Sequence, residues 1–454
     1  MLKNRAPVWV NTRRQARQAR WNADAHLRAH ERSVQIGEQA IIRVDTCQLA
    51  ANRPIEDFYS AAKCTSSSAY LFGVFDGHGG SYCSRYVSTK LFPYISAAVL
   101  RKHAEKEVPL EKRCEWLFSS ADQHIHLPTQ LQGEHRNNIR RFHSDFIEKH
   151  NELSTVRKAV QAAFVALDDD ISKEALPDMK GQVDRLSALT AASGSCATVA
   201  HIRKRHLHVA NVGDGAAVLG VSSANGGVSA RQLGLAHCWD NAEEVAGIRA
   251  MHPVSESQTI FQGGRLLGEL FPLRAFGDVR YKWPRELQKV VLEPLGSPAP
   301  THLQTPPYLR ALPDVLYHKL TVNDRFLVIA TDGLWEWLDA DTVVRLVHDH
   351  TLGAMTLQPY KPRSGTNLGQ VMSDLRERRR GDHKKPIDDN CATHLIRHAL
   401  GGVLGGTKEQ YQRLNDILQV PPGMARSYRD DISVIVIHFD ENYVSQPCDE
   451  HEMN

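Results

Sequence analysis

The segment Leu71-Phe72-Gly73-Val74-Phe75-Asp76-Gly77-His78-Gly79-Gly80 joins an apolar run to an abrupt polar turn. The apolar run predicts a buried strand, whose end would hold the Asp76 carboxylate in a fixed place. Gly77 would let the backbone carbonyl approach a ligand, and His78 would stand beside it as a proton donor. A hydrolytic metal site needs these groups, although a plain Asp-Gly turn explains this segment by itself equally well.

Two further carboxylates occupy the same kind of position beside predicted strands. Asp332 follows the apolar run 326–330 and precedes a glycine, and Asp430 directly precedes the run 432–439. Further acids at strand ends are Glu56, Asp57 and Asp214. Carboxylates that converge at a sheet edge repel one another unless cations bind between them. Oxygen ligands without Cys or paired His favour Mg²⁺ or Mn²⁺ over Zn²⁺, and two such ions about 4 Å apart can activate water and bind a phosphoryl oxygen.

The wider pattern predicts an α+β domain built on antiparallel sheets. Strand patterns occur at 44–62, 70–75, 193–219, 326–330 and 432–439, and helix patterns occur at 83–99, 160–171 and 392–399. The strands are grouped and do not alternate regularly with helices, which argues against a doubly wound parallel sheet. Residues 101–153, rich in charge and histidine, and residues 284–310, rich in proline, are predicted to be inserts outside the core.

Composition excludes several classes of protein. The chain has 454 residues, of which 42% are hydrophobic and 24% charged, as in an ordinary globular protein. No apolar run approaches the roughly 18 residues of a membrane span. Residues 1–23 carry six basic side chains and no acid, which leaves 49 basic and 52 acidic residues elsewhere. The body of the chain therefore has no electrostatic basis for binding nucleic acid. The eight cysteines are dispersed without a CxxC pair, which indicates free thiols in a reducing compartment.

The basic N-terminus is similar to a mitochondrial transit peptide, because it is rich in arginine and lacks acids before Asp24. It contains no serine and has a thin apolar face, so a disordered basic tail is the alternative.

Two other sites are less favoured by the spacing of their residues. Cys47 and Arg53 have the C-x5-R spacing of cysteine phosphatases, but the intervening residues include no glycine to form a phosphate-binding loop. Cys391, His394 and His398 lie on one helical face, but a zinc site lacks an obvious fourth ligand there. An ordinary helix face explains the second set better.

Seven short motifs follow one another along the chain. They are Glu56-Asp57, Asp76-Gly77-His78-Gly79-Gly80, Ser193-Gly194-Ser195, Val212-Gly213-Asp214, Arg274-Ala275-Phe276-Gly277-Asp278, Thr331-Asp332-Gly333-Leu334-Trp335 and Arg429-Asp430-Asp431-Ile432-Ser433-Val434. Their order over residues 45–440 resembles that of the metal-dependent protein serine/threonine phosphatases of type 2C. The resemblance implies an antiparallel β-sandwich flanked by helices on both faces, in α-β-β-α layers, with two metal ions at one end.

The resemblance also implies the ligands of two Mg²⁺ or Mn²⁺ ions per active site. Asp76 would bridge both ions, and the carbonyl of Gly77 would bind one of them. Asp332 and Asp430 would bind the other ion, and Asp214 would contribute to a weaker third site.

Other roles implied by the resemblance concern the reaction itself. His78 would protonate the leaving serine or threonine oxygen, and Glu56 would hold a metal-bound water from outside the ligand set. Asp278 is predicted to orient a nearby loop. Attack would be direct, by a hydroxide activated at two metals, with no phosphoenzyme.

The chain differs from the family at the residue that binds the substrate phosphate. Most members have an arginine four residues before the glutamate, whereas this chain has Asn52 there, followed by Arg53. Successive strand residues point to opposite faces, so Arg53 could replace the missing side chain only through a local twist. We therefore predict that Asn52 or Arg53 contributes to phosphate binding. We also predict that this chain binds small phosphoesters more weakly than family members that have the arginine.

A subset of segments resembles the catalytic subunits of mitochondrial pyruvate dehydrogenase phosphatases. These segments are 49–57, 276–283, 305–309 and 392–398, and the insert at 101–153 also fits. The resemblance implies a mitochondrial matrix enzyme that dephosphorylates and so reactivates the pyruvate dehydrogenase complex, with contacts to its lipoyl-bearing core and a regulatory subunit. The alternatives are a type 2C phosphatase of another protein and a non-catalytic adaptor. The predicted organisation is a leader at 1–40, a catalytic domain at 41–440 and a polar tail at 441–454.

Overall fold

The computed structural model of the chain describes residues 22–99, 109, 112–119, 129–149, 155–223, 227–352, 362, 365–380, 388–404, 406–421 and 423–446. Residues 1–21 of the predicted leader, residues 447–454 of the predicted tail and parts of the predicted insert at 101–153 lie outside the described residues. Across the described ranges, none of the helices combines the length and apolar composition required to span a membrane.

The strands of the described chain are numbered in order. They are β1 (Arg32–Glu38), β2 (Ile41–Leu49), β3 (Phe58–Cys64), β4 (Ala69–Phe75), β5 (Gly77–His78), β6 (Cys114–Ser119), β7 (Gly194–Ser195), β8 (Ala197–Arg203), β9 (His206–Val212), β10 (Ala216–Ser222), β11 (Val228–Gln232), β12 (Phe261–Gln262), β13 (Arg265–Leu266), β14 (Phe276–Gly277), β15 (Asp314–Lys319), β16 (Asp324–Ala330) and β17 (Ile432–Phe439).

The strands form two six-stranded sheets and two small ones. The first sheet has the order β1-β2-β17-β16-β10-β11, and the second has the order β15-β9-β8-β4-β3-β6. Neighbouring strands in both sheets pair antiparallel. A small sheet with the order β14-β7-β5 links the residues at 276–277, 194–195 and 77–78. The fourth is the two-stranded ribbon β12-β13.

The helices are numbered in the same way. They are α1 (Ala23–Arg28), α2 (Tyr82–Val99), α3 (Thr129–Lys149), α4 (Val156–Glu174), α5 (Arg185–Ala192), α6 (Ala242–Ala250), α7 (Arg285–Val291), α8 (Asp332–Trp335), α9 (Ala340–Thr351), α10 (Leu368–Arg380), α11 (Cys391–Gly401), α12 (Thr407–Leu418) and α13 (Glu441–Ser445).

Alternation along the central strands explains how the layers are held together. In β4, Tyr70 and Phe72 enter the core between the two sheets, whereas Leu71 and Phe75 enter the core under α2 and α4. The residues of β17 alternate in the same way between the intersheet core and the core under α9, α11 and α12. Successive strand side chains point to opposite faces, so an apolar run is buried on both sides. The predicted α+β sandwich with helices on both faces is confirmed.

The folded region begins before the predicted boundary at residue 40. Strand β1 pairs with β2 in the first sheet, and Leu27 of α1 is buried in the core beneath α11 and α12. The sequence of β1 is polar, and all seven of its residues are exposed or partly exposed, which is typical of an edge strand. Because β1 is a polar edge strand, its sequence lacks the apolar pattern from which a strand is predicted. At the other end, Val444 of α13 is buried in the intersheet core, within the predicted tail.

Both predicted inserts contribute to the folded structure. Strand β6 forms the edge of the second sheet, and Phe146 of α3 packs in the core with α2. Helix α7 lies within 284–310, and Tyr308 is buried in a separate small core together with Ile248 of α6. The expectation that these segments lie outside the core is wrong for their described parts. Their long-range partners, which a sequence pattern does not reveal, bury them.

Phe118 provides a test of whether β6 stabilises the domain. Its side chain is buried in the intersheet core, and its ring meets Tyr59 edge to face at 5.9 Å between centroids. Phe118→Ala is expected to lower the free energy of unfolding by about 3–5 kcal/mol, measured by urea denaturation. Glu115→Ala, at an exposed position of the same strand, should change it by less than about 0.5 kcal/mol. Equal effects of the two variants would show that β6 is not part of the cooperative core.

Candidate active site

Three carboxylates from both large sheets converge at one end of the sandwich. Asp76 follows β4, Asp214 follows β9 and Asp332 follows β16. One oxygen of each carboxylate lies within 4.8 Å of an oxygen of the other two. The backbone of Asp76 is held by the amide of Cys196, which donates to its carbonyl at 2.8 Å. The strand-end positions predicted from the sequence therefore meet in space.

The three carboxylates are electrostatically incompatible without cations. Burial raises the pKa of Asp76 well above its usual range, and the neighbouring Asp332 raises it further. Burial, together with Asp214 and Asp430, raises the pKa of Asp332 to about 8. The Oδ1 atom of Asp332 is buried and accepts no hydrogen bond. A buried, unpaired carboxylate oxygen among like charges suits a hard divalent cation such as Mg²⁺ or Mn²⁺.

Two glycines allow the chain to pass closely behind these carboxylates. A side chain at Gly77 would collide with the carbonyl of Glu56 and the hydroxyl of Ser84. A side chain at Gly333 would collide with the carbonyl of Asp431. Each glycine follows its aspartate directly, so close backbone packing fixes where the preceding carboxylate stands.

His78 is paired with Asp278 through the small sheet. Strand β5 carries His78, and β14 ends at Gly277, just before Asp278; both strands pair with β7. The Nε2 atom of His78 lies 2.6 Å from Oδ2 of Asp278. Burial alone would lower the pKa of His78, but the adjacent Asp278 carboxylate outweighs it and raises the pKa. A side chain at Gly194 of β7 would collide with both groups, which explains the glycine in that motif.

Asp168 of α4 supports the loop that presents Asp278. Its carboxylate accepts hydrogen bonds from the Lys282 ammonium at 2.7 and 2.8 Å and from the backbone amide of Gly277 at 2.9 Å. Asp278 itself has a left-handed backbone (φ 49°) and donates its amide to the carbonyl of Ser193 at 3.0 Å. The sequence-based prediction gave Asp278 a loop-orienting role, whereas the structure places its carboxylate on His78.

A second network supports the turn before Asp214. The amide of Gly213 donates to Nδ1 of His237 at 3.1 Å, and Nε2 of His237 lies 3.0 Å from Asp314. Arg274 joins Asp314 to the buried Glu244 by ion pairs to both carboxylates. The motif at 274–278 therefore contributes Gly277 and Asp278 to the network around His78 and Arg274 to the network behind Asp214.

A cavity of about 670 Å³ contains the carboxylates and His78. Asp430, which precedes β17, lines the same cavity and forms an ion pair with Arg426 at 2.6 Å. Arg265 and Arg280 also line it. The site therefore combines clustered carboxylates with arginine side chains, which fits an anionic substrate bound together with cations.

The comparisons with known proteins agree with this geometry. The family model described as protein phosphatase 2C matches residues 107–359. The human mitochondrial pyruvate dehydrogenase (acetyl-transferring) phosphatase 2 is 38% identical over 424 residues, which cover 89% of this chain and 79% of the relative. The chain belongs to the protein phosphatase 2C family.

Two further relatives extend the comparison within the protein phosphatase 2C family. The human mitochondrial pyruvate dehydrogenase (acetyl-transferring) phosphatase 1 is 39% identical over 451 residues, covering 92% of this chain and 82% of the relative. The Saccharomyces cerevisiae mitochondrial phosphatase of the same name is 30% identical over 443 residues, covering 88% of this chain and 69% of the relative. The protein phosphatase 2C family is metal-dependent, in line with the acidic cluster.

Asn52 and Arg53 are outside the residues that line this protein phosphatase 2C cavity. The amide side chain of Asn52 donates to Oδ2 of Asp431 at 3.0 Å, and Arg53 is exposed. The structure therefore does not bring either predicted phosphate-binding residue to the carboxylates. Glu56 also does not line the cavity; it is partly buried near it, where burial raises the pKa of its carboxyl and the amide of Gly80 opposes the rise.

Asp431 is the organising residue that the sequence did not single out. Its buried carboxylate accepts the backbone amides of Ala51, Asn52 and Glu56 at 2.5, 2.9 and 2.8 Å. It thereby holds the loop between β2 and β3 against the start of β17. Sequence alone could not separate it from the adjacent Asp430, because the two acids stand side by side and only one of them faces the cavity.

Another group of metal-ligating atoms lies on the far side of the first sheet. Oxygen, sulfur and nitrogen atoms of Asp45, Cys391 and His438 are within 4.8 Å of one another. Asp45 already accepts from Ser33, from the amide of Cys391 and from the Arg43 guanidinium. A carboxylate that is paired with arginine and anchors the start of α11 is satisfied without a metal. The group around Asp45 is therefore structural and is organised by the ion pair between Asp45 and Arg43.

Proposed function

We propose that this chain is a metal-dependent serine/threonine phosphatase that dephosphorylates the pyruvate dehydrogenase complex in the mitochondrial matrix. The observation that carries the proposal is the convergence of Asp76, Asp214 and Asp332 in a cavity that also contains Asp430. Membership of the protein phosphatase 2C family and the names of the relatives support the activity and the substrate.

Two Mg²⁺ or Mn²⁺ ions are the proposed cofactors. Asp76 would hold both, with the carbonyl of Gly77, Asp332 and Asp430 completing the set and Asp214 contributing to a third, weaker position. When bound, the ions supply positive charge for the phosphoryl group and activation of water. The pKa values raised by mutual repulsion of the carboxylates support this assignment, since cations would relieve that repulsion.

The proton for the leaving oxygen is assigned to His78. Its ring is held by Asp278, which keeps the imidazole in one orientation and favours its protonated form. A positioned acid of this kind avoids the release of an unprotonated serine or threonine alkoxide. Glu56 is assigned to the water structure next to the site, because it is partly buried beside the Gly77 backbone.

The relatives also suggest where the protein works and what it contacts. Because they are named as mitochondrial, we propose that the basic N-terminal residues act as a transit peptide. We further propose that the enzyme meets its substrate on the lipoyl-bearing core of the complex and that a regulatory subunit modulates it. The cavity is lined by Arg265 and Arg280, and these positive side chains make it suitable for binding a phosphorylated segment.

Phosphate release from the phosphorylated pyruvate dehydrogenase complex tests the assignment. With Mg²⁺ present, the full chain should release phosphate from the complex faster than from an unrelated phosphoprotein at equal phosphoserine concentration. Asp76→Asn is the inactive control. Equal rates on both proteins would favour a phosphatase of another substrate, and binding to the complex without any phosphate release would favour an adaptor.

A further inference from the structure

We infer that Arg426 is the side chain that binds the substrate phosphate in this enzyme. The inference deepens the proposed function and rests on it. Several carboxylates line the cavity, so a phosphate dianion needs positive side chains as well as metal ions to bind there. Among the described residues lining the cavity, the permanently positive ones are Arg265, Arg280 and Arg426.

Arg265 and Arg280 are both engaged in contacts with neighbouring residues. The Arg265 guanidinium donates to the backbone carbonyl of Glu269 at 3.0 Å and lies over the ring of Phe271. Arg280 forms an ion pair with the Glu269 carboxylate at 2.5 Å and donates to the carbonyl of Pro298. Both arginines are therefore fixed around Glu269. The charge of Arg280 is partly neutralised by the Glu269 carboxylate, and Arg265 is held by the backbone of the same residue.

Arg426 instead contacts one of the proposed metal ligands. It belongs to the short helix Ala425–Ser427, four residues before Asp430, and its guanidinium lies 2.6 Å from the Asp430 carboxylate. The Arg426 side chain is 56% exposed, compared with 13% for Asp430. The arginine therefore lines the same cavity as Asp430 and is more accessible to solvent than the carboxylate it pairs with. A planar guanidinium with several N–H groups suits bidentate binding of phosphate.

The ion pair between Arg426 and Asp430 allows a divalent cation to replace the guanidinium as the partner of Asp430. A divalent cation at Asp430 competes with the guanidinium for the same carboxylate, and its charge weakens the attraction between Asp430 and Arg426. The released guanidinium would then be available to a substrate phosphate in the cavity that both residues line. Arg426 thus serves as a counterion for Asp430 before the metal binds and as a phosphate ligand afterwards.

No described residue at the position expected from the family competes for this role. The side chain of Asn52 is engaged with Asp431, and Arg53 does not line the cavity. Arg429, three residues after Arg426, is buried and donates to the carbonyl of Ala50. Arg429 therefore supports the loop, whereas Arg426 is available to the substrate.

The test compares Arg426→Gln and Arg426→Lys with the matched control Arg413→Gln, an exposed arginine of α12, in the full chain. With Mn²⁺ and p-nitrophenyl phosphate, Arg426→Gln should raise KM about tenfold, as expected for one lost charge-assisted hydrogen bond. The change in kcat should be smaller than the change in KM. Inhibition by inorganic phosphate should weaken in parallel. Arg426→Lys should recover part of the loss, and Arg413→Gln should behave like the wild type.

Calorimetry separates phosphate binding from a role in holding Asp430. Arg426→Gln should bind Mn²⁺ as tightly as the wild type or more tightly, because a competing cation has been removed, yet the Mn²⁺-loaded variant should bind inorganic phosphate more weakly. Unchanged phosphate binding, or weaker Mn²⁺ binding as the cause of the higher KM, would overturn the inference. An inactive wild type would contradict the proposed function, while phosphate binding to the Mn²⁺-loaded protein would still decide the role of Arg426.

Discussion

Replacing Asp332 by asparagine is expected to reduce Mg²⁺-dependent phosphatase activity about a thousandfold or more. Asp332 lies within 4.8 Å of both Asp76 and Asp214, and its Oδ1 atom is buried without a hydrogen-bond donor. Loss of one ligand charge would weaken cation binding and remove several kcal/mol of transition-state stabilisation. Initial rates with p-nitrophenyl phosphate over a range of Mg²⁺ concentrations measure the effect.

Thermal unfolding distinguishes this effect from damage to the fold. Burial and neighbouring acids raise the pKa of Asp332 to about 8, so its ionised form destabilises the metal-free folded protein at pH values above the ordinary aspartate pKa. Metal-free Asp332→Asn should therefore melt at the same temperature as the wild type or higher. Added Mg²⁺ should stabilise the variant less than the wild type. Asp416→Asn, an exposed control on α12, should match the wild type throughout.

A variant that keeps its activity in excess EDTA would contradict a metal-dependent mechanism. A metal-free variant that melts well below the wild type would instead show that Asp332 stabilises the fold and would remove the electrostatic argument for a cation at this position. The two measurements together therefore separate a ligand from a structural carboxylate.

Replacing His78 by asparagine is expected to lower kcat about 100-fold or more on a phosphoserine peptide. The alkoxide of serine is a poor leaving group and needs a proton, whereas p-nitrophenolate leaves readily without one. The loss should therefore be much smaller with p-nitrophenyl phosphate. The ratio of the two losses, measured on one enzyme preparation, reports the role of His78 as an acid.

Asp278→Asn should have a related but smaller effect. Asp278 lies 2.6 Å from the His78 ring and raises its pKa, so removal of the carboxylate should lower the pKa of His78. The high-pH decline of kcat on phosphoserine peptide should then move to lower pH than in the wild type. Equal losses of the His78→Asn variant on both substrates, or no shift of the decline with Asp278→Asn, would contradict the assignment of His78 as the acid. Asp416→Asn again serves as the surface control.

The sequence-based predictions were accurate where the apolar periodicity of a single helix or strand was enough to identify it. The strand β4 and the helices α2, α4 and α11 are visible because their apolar residues repeat with strand or helix periodicity. Strand β1 was missed because an edge strand needs no apolar face, and its structure comes from pairing with β2. Strand β6 was missed because its segment is rich in charge, although Phe118 is buried.

Local sequence patterns are sufficient to identify the chemical groups that this protein can use. Aspartates placed directly before or after apolar runs, with glycines behind them, are local features, and they indicate strand-end carboxylates suited to divalent metals. The order of the motifs then indicated the family, because it survives along the chain without knowledge of any contact.

Which of these groups act together depends on how the two sheets pack. Asp76 and Asp214 follow strands of one sheet and Asp332 follows a strand of the other, so only the packing of the two sheets brings them within 4.8 Å. The same packing turns Asn52 and Asp431 toward each other and places Arg426 among the residues that line the cavity. Contacts between residues far apart in the chain depend on register and layer packing, which local periodicity does not encode.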